Sequence, residues 1–253
     1  MKRIISFFMN NPVFNFLISL VTYVFYGIVI GISMFPSVFL IYTYIKHINL
    51  DSMLNIVGLA LTCGISVYLF FIVALIVFGV VERLLVIGFK KGRYPITSGV
   101  FARWLVYSGL HIILLNMVLP YVSGTVFAKM FYRILGCKIG KNVFINTRGL
   151  HDAYLLEIGD NVVIGGDANI TCHIFEGNTL ILDNIKIGDN TLIGAESYIM
   201  PGVEIGDHCS IGVKSYIRKK KKIPPKTILM SVPAVPARQM AHIIKEEKEE
   251  VKI

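Results

Sequence analysis

Six histidines are the side chains of this 253-residue sequence best suited to move a proton near neutral pH, since the imidazole titrates there and can take the proton of a hydroxyl or amine acceptor. His173 is the leading candidate. It follows the aliphatic Ile170 by three residues, on an outward-facing strand position, where a regular spacing of aliphatic residues breaks. A base needs an orienting partner. Asp152, Glu157, Asp167 and Glu176 are the nearby carboxylates; spacing alone does not choose among them, and Glu176 is carried with His173 and His151 as the catalytic set. His151 lies in an earlier break of the same spacing. His208 has the phase of His173 without a break after it and reads as a solvated side chain. His111 sits in an apolar stretch, where a packing role and a functional ionisable group at membrane depth both stay open.

Thiol and metal chemistry have less support. Cys63, Cys137, Cys172 and Cys209 form no CxxC pair and have no histidines at zinc-ligand spacing. They read as reduced thiols of an intracellular domain, and no metal is expected. Cys172 is a poor nucleophile for the site, because adjacent strand residues point to opposite faces. The net charge is +9, yet no basic segment is interleaved with aromatic residues as base stacking would need, so nucleic acid is not an expected partner.

The elements that must position these residues fall into two halves. The chain is 55% hydrophobic and 16% charged, with a mean hydropathy of +0.67, too apolar for an ordinary soluble domain. Residues 1–123 read as a transmembrane region. Stretches 14–45 and 52–82, read as free of charged side chains, each exceed the roughly 20 residues that span a hydrocarbon core. Pro36 is expected to kink or end the first, while Gly27, Gly31 and Ser33 offer a small-residue face for helix contact. A third stretch, 104–123, is interrupted by Ser108, Gly109, His111, Asn116 and Pro120. If Lys2, Arg3 and the basic loop 83–103 are cytoplasmic, two crossings return the chain, and a third would export everything downstream. The third stretch is therefore expected to re-enter or lie in the interface. No cleavable signal is expected, as the first apolar run is longer than a signal peptide's. The reading is a multi-pass protein of the inner cell membrane with its C-terminal half cytoplasmic.

That half repeats. Ile187, Ile193, Ile199, Ile205, Ile211, Ile217 and Ile223 recur every six residues, and Leu229 and Val235 continue the count. Ile158, Ile164 and Ile170 keep the period, as do Ile139 and Ile145. The phase slips near 146–157 and 171–186, which predicts insertions there. An amphipathic helix has no six-residue period, whereas short strands joined by tight turns, three to a triangular coil, do. The predicted fold is N-terminal transmembrane α-helices, an amphipathic connector at 124–137, a left-handed parallel β-helix at 138–238, and a charged tail at 239–253.

Residues 138–238 resemble the hexapeptide-repeat acyltransferases. The run Ile187-Gly188-Asp189-Asn190 with Ile193-Gly194-Ala195, then Met200-Pro201-Gly202-Val203 and Val235-Pro236-Ala237-Arg238, looks like the close of the maltose and galactoside acetyltransferase domain. Gly124 to Gly140, His173 to Glu176 and the helices ahead of them are similar to the C-terminal membrane region of poly-lysine synthetases. The resemblance implies acyl transfer from acetyl-CoA or another acyl-CoA, His173 as general base, and a homotrimer with the donor in a groove between copies. It implies Gly194, Ala195, Gly212, Lys214, Lys219 and Arg238 near that donor. Two departures stand out: the run Arg218 to Lys222 is more basic than the family's turn, and Ser231-Val232-Pro233 replaces its Gly-Asn-Pro. The basic run is open to three readings: a CoA phosphate, anionic lipid, or water. A carbonic anhydrase on this fold needs a second histidine five residues after His173, and position 178 is Asn. The implied acceptor is a hydroxyl or amine of a membrane-associated or surface-glycan type. The alternative is a non-catalytic trimeric membrane scaffold.

Overall fold

A computed structural model describes residues 12–49, 52–230 and 235–236. They form two compact units. One holds the described residues up to Ile87 together with Ala102–Val122; the other holds Gly88–Phe101 and the described residues from Ser123 on.

The first unit is helical. α1 (Pro12–Lys46) and α2 (Met53–Leu85) run through the two long apolar stretches, and α3 (Gly99–Met117) and the short α4 (Leu119–Val122) follow. Among the described residues, three helices are long and apolar enough to cross a membrane, with mean hydropathies of 2.2, 2.7 and 1.4. Pro36 neither ends α1 nor divides it. Four of the expected interruptions, Ser108, Gly109, His111 and Asn116, also leave α3 continuous: Asn116 returns its amide to the Ile112 carbonyl at 2.8 Å, and Gly109 makes room for the Tyr26 ring, whose hydroxyl donates to the Val106 carbonyl at 2.9 Å. The chain breaks only after Met117, ahead of Pro120. Gly27 and Gly31 meet no atom where a Cβ would stand; the close approaches are instead at Gly109 and at Gly58 beside Tyr44. Ser37 donates to the Ser66 carbonyl at 2.7 Å, tying α1 to α2. Reading 52–82 as wholly apolar passes over Glu82. It is fully buried, with Oε2 2.9 Å from His111 Nδ1, and the Tyr107 ring stacks on that imidazole.

The second unit is a left-handed parallel β-helix. Two-residue strands place one aliphatic residue inward and its neighbour outward. Ile139, Ile158, Ile187, Ile205 and Ile223 stack in register on one face, and Ile145, Ile164, Ile193, Ile211 and Leu229 on the next. The third stack is Leu150, Ile170, Ile199 and Ile217. Burying each aliphatic side chain contributes about 1.5–3 kcal/mol, so these stacks are the core. Corners need left-handed backbone, which Asn tolerates. Asn142, Asn161 and Asn190 take φ of 53–55° and link their side-chain amides coil to coil at 3.1 and 3.2 Å. His208 occupies a corner of this left-handed kind (φ 56°).

Both predicted slips carry structure. At the first, Leu150 takes the stacking position five residues after Ile145, and a single 3-10 turn, Ala153–Leu155, follows. At the second, the chain leaves the coil as an antiparallel hairpin, His173–Glu176 with Thr179–Leu182. Gly177 supplies the positive φ of 56° for its two-residue turn. A third strand joins it from far upstream: β1 (Gly92–Pro95), inside the segment read as a basic loop, pairs antiparallel with Thr179–Leu182, Gly92 opposite Leu182. Val235 does not continue the helical count, because strand Val235–Pro236 turns back antiparallel to Ile228–Met230.

The connector forms α5 (Val126–Leu135), started by Thr125, whose Oγ1 accepts from the Phe127 amide, and stopped by Gly136 in the left-handed conformation. Its buried side includes Phe131, Tyr132 and Leu135, and the Tyr132 hydroxyl donates to the Arg148 carbonyl at 3.1 Å, so the helix covers the first coil.

Candidate active site

The pairing of Leu150–His151 with Asn169–Thr171 sets His151 beside Thr171, two residues before His173. The hairpin starts at His173, so its first strand forms a wall next to these two coil strands. Together they enclose a cleft of about 370 Å³ lined by His151, Asn169, Thr171, His173, Ile174 and Phe175. The wall has an apolar side, with Phe101 edge-on to Phe175 at 6.1 Å.

Asp152 is the partner of His173. Its Oδ2 lies 2.5 Å from His173 Nδ1, while the carboxyl is buried and the imidazole is about a quarter exposed. Asp152 reaches this place because the short first arm puts it at a corner with φ 53°, a conformation Asp accepts more readily than most residues. Its other oxygen accepts from the Tyr154 hydroxyl at 3.1 Å. Burial first, and then the Asp152 charge, push the Tyr154 phenol far up, so it stays a donor. With Nδ1–H donating to the carboxylate, Nε2 is the proton-accepting nitrogen. Thr171 Oγ1 stands 3.2 Å from Nδ1 and 3.2 Å from the His173 carbonyl, to which it donates.

The other expected residues distribute as follows. His151 enters the same cleft, its ring 6.3 Å from that of His173, with Nε2 3.4 Å from the Asn169 amide. Glu176 does not orient His173: three residues along a strand puts it on the opposite face, where Arg93 Nη1 at 3.3 Å and Lys219 Nζ donate to its carboxylate. The hydrogen bond from Lys219 leads the causes that hold Glu176 below the usual carboxylate range. Lys219 therefore stands with the hairpin. Gly194, Ala195, Gly212 and Lys214 lie at a different corner, where the coils stack so closely that a Cβ on Gly194 would meet the Val213 amide nitrogen at 2.5 Å. Lys214 Nζ there is 3.5 Å from Glu196. Arg238 falls outside the described residues. Cys172 is fully buried, and burial pushes its thiol well up, away from the reactive thiolate. Among the described residues no three His, Cys, Asp or Glu side chains group as metal ligands.

Sequence reasoning missed Arg93, Tyr154 and Phe175. Tyr154 carried a faint signal, two residues after Asp152 within a predicted insertion; the other two depend on a pairing between β1 and the hairpin that no local pattern reports.

Comparison with known proteins gives four matches. A maltose O-acetyltransferase from Clostridium difficile 630 is similar in structure at 21% identity, over 58% of this chain and 91% of that one, with a TM-score of 0.44. A galactoside acetyltransferase in complex with coenzyme A is similar at 20% identity, over 62% and 88%, with a TM-score of 0.43. In sequence, a Delta-poly-L-ornithine synthetase of Acinetobacter baumannii (strain AB307-0294) is 29% identical over 167 residues, which are 66% of this chain. The chain spans only 12% of that relative's length. The family model described as bacterial transferase hexapeptide (six repeats) matches residues 184–219, the uninterrupted part of the coil. These residues carry the hexapeptide repeat of the bacterial transferases.

Proposed function

We propose that the chain is a membrane-anchored acyltransferase that moves an acyl group from an acyl-CoA to a hydroxyl or amine acceptor. The observation that carries this reading is the buried Asp152 carboxylate on His173 Nδ1 at the mouth of a cleft. His173 Nε2 takes the acceptor's proton as its oxygen or nitrogen attacks the thioester carbonyl. The carbon–sulfur bond then breaks, and the imidazolium returns the proton to the departing thiolate. Asp152 holds the ring and offsets the transient positive charge, so it replaces Glu176 as the orienting residue. His151 faces the same space and is proposed as an acceptor contact. The repeat family and the similarity to a poly-ornithine synthetase support group transfer to an amine or hydroxyl.

The proposed setting is the inner membrane, with the β-helix cytoplasmic. Pairing between β1 and the hairpin supports a particular path. A strand and its partner cannot lie on opposite sides of a hydrocarbon core about 30 Å thick. Gly92–Pro95 precedes α3 and the β-helix follows it, which supports a path in which α3 makes no net crossing, with α1 and α2 proposed as the two crossings. A homotrimer is supported by the outward residues of the second face, of which Phe144, Val163, Leu192 and Ile228 are large, apolar and exposed and only Ser210, between the last two, is polar. The first face instead carries Lys138, Glu157 and Lys186 in ion pairs.

The test is release of CoA thiol from acetyl-CoA by the detergent-purified full chain, across a panel of sugar and amine acceptors. His173→Ala should lower turnover by about 10²–10⁴-fold, the usual worth of a general base. Asp152→Asn should lower it less, with acetyl-CoA binding by titration calorimetry unchanged in both. Undiminished turnover in His173→Ala overturns the reading; no acetyl-CoA binding at millimolar concentration favours a scaffold or another activated donor.

A further inference from the structure

Two groups of basic side chains in the second unit meet along the edge of the hairpin sheet. β1 carries Arg93, and Lys90 and Lys91 lie just before it; Arg218–Lys222 form the corner after Ile217, all five exposed. Contacts hold the two groups together. Arg93 and Lys219 share the Glu176 carboxylate, and Lys91 Nζ reaches the buried Asp183 at 2.7 Å. A Cβ on Gly202 would touch both Asp183 and the Lys220 side chain, which puts Lys220 beside that pair. Three carboxylates, Glu176, Asp183 and Glu204, meet eight cations, and a strong positive excess faces solvent.

This patch is tethered to apolar helices on both sides: α2 ends at Leu85 and α3 begins at Gly99, with Lys90, Lys91 and Arg93 between them. We propose that the patch docks on the anionic headgroups of the leaflet from which these helices emerge, with the corner Arg218–Lys222 as its outer part. The proposal rests on the membrane reading above. Two features favour headgroups over a soluble phosphate. The tether keeps the patch at a high effective concentration near the lipid surface, and four of the five corner cations are lysines, hydrated point charges that suit a diffuse anionic plane better than bidentate capture of one phosphate.

The test uses the full chain in nanodiscs of phosphatidylcholine, with and without phosphatidylglycerol, followed by amide exchange of peptides covering 216–223. The expected result is exchange slowed by about tenfold in the anionic discs, restored by raised salt, and restored in Lys220→Glu with Lys221→Glu. Unchanged exchange in the 193–211 coils of that variant shows it is folded. Equal exchange in both discs overturns the docking. Slowing by inorganic pyrophosphate in neutral discs, without any effect of phosphatidylglycerol, also overturns it and makes the patch a soluble-phosphate site. Extraction of the chain from vesicles by alkaline carbonate would instead fail the membrane reading itself.

Discussion

At the scale of single residues, the site turns on which carboxylate meets His173. The sequence placed four within reach, and no spacing rule could rank them. The choice of Asp152 depends on a left-handed corner and on an arm shortened by one residue, neither of which is a local pattern. His173 itself was legible, because it stands where the six-residue period fails. Glu176 belongs to a different task, and its protonation tests that. Lys219 and Arg93 hold its pKa below the ordinary 4.5. A group with a depressed folded-state pKa stabilises the fold fully above its unfolded value and ceases to do so as pH falls through the folded value. Amide exchange across 173–182 should therefore rise as pH falls below the ordinary carboxylate range, and Glu176→Gln should show that faster exchange already at neutral pH. Exchange that is flat in pH and unmoved by the substitution would mean that the ion pairs do not hold the hairpin.

Among the elements, the coils were the most legible part, since one aliphatic residue per six fixes which side chain enters each stack. Ile199 is fully buried in the third stack, between Ile170 and Ile217. Ile199→Ala should cost about 2–5 kcal/mol, read as a lower unfolding midpoint in denaturant, whereas the adjacent exposed Tyr198→Ala should cost far less. Capping is a second measure: Thr125→Ala removes the acceptor for the Phe127 amide and should cost about 1 kcal/mol. The two long helices were legible in place, whereas the third begins at Gly99 and ends at Met117 instead of running 104–123. The helix contacts were not legible, because hydropathy in an apolar helix does not report which face packs. Gly109 makes the close contact that Gly27 and Gly31 do not, and Glu82 with His111 forms a buried polar pair inside a stretch read as purely apolar. Glu82→Ala should leave His111 buried without its carboxylate, and the variant should lose several kcal/mol of stability, visible as aggregation on detergent extraction.

For the whole molecule, the path through the bilayer is open to direct measurement. In a cysteine-free background, Ser98→Cys and Ser123→Cys should react with a membrane-impermeant maleimide from the same side. Labelling from opposite sides would make α3 a full crossing and would contradict the β1 pairing. If the proposed homotrimer forms through the exposed apolar face, Leu192→Asp should shift the purified protein to monomer in light scattering, with little change in its unfolding midpoint. The same strand pairing also orders biosynthesis. β1 ends at Pro95 and its partner begins at Thr179, so at the ribosome's pace of about 5–20 residues per second β1 emerges seconds before anything can pair with it. The delay has a counterpart in the finished fold. A fragment cut at the junction before the connector would be made without β1, and its Thr179–Leu182 strand would present bare amides and carbonyls to any extended chain nearby. Such a fragment should self-associate through that strand, and a short peptide carrying Gly92–Pro95, supplied in trans, should suppress the association.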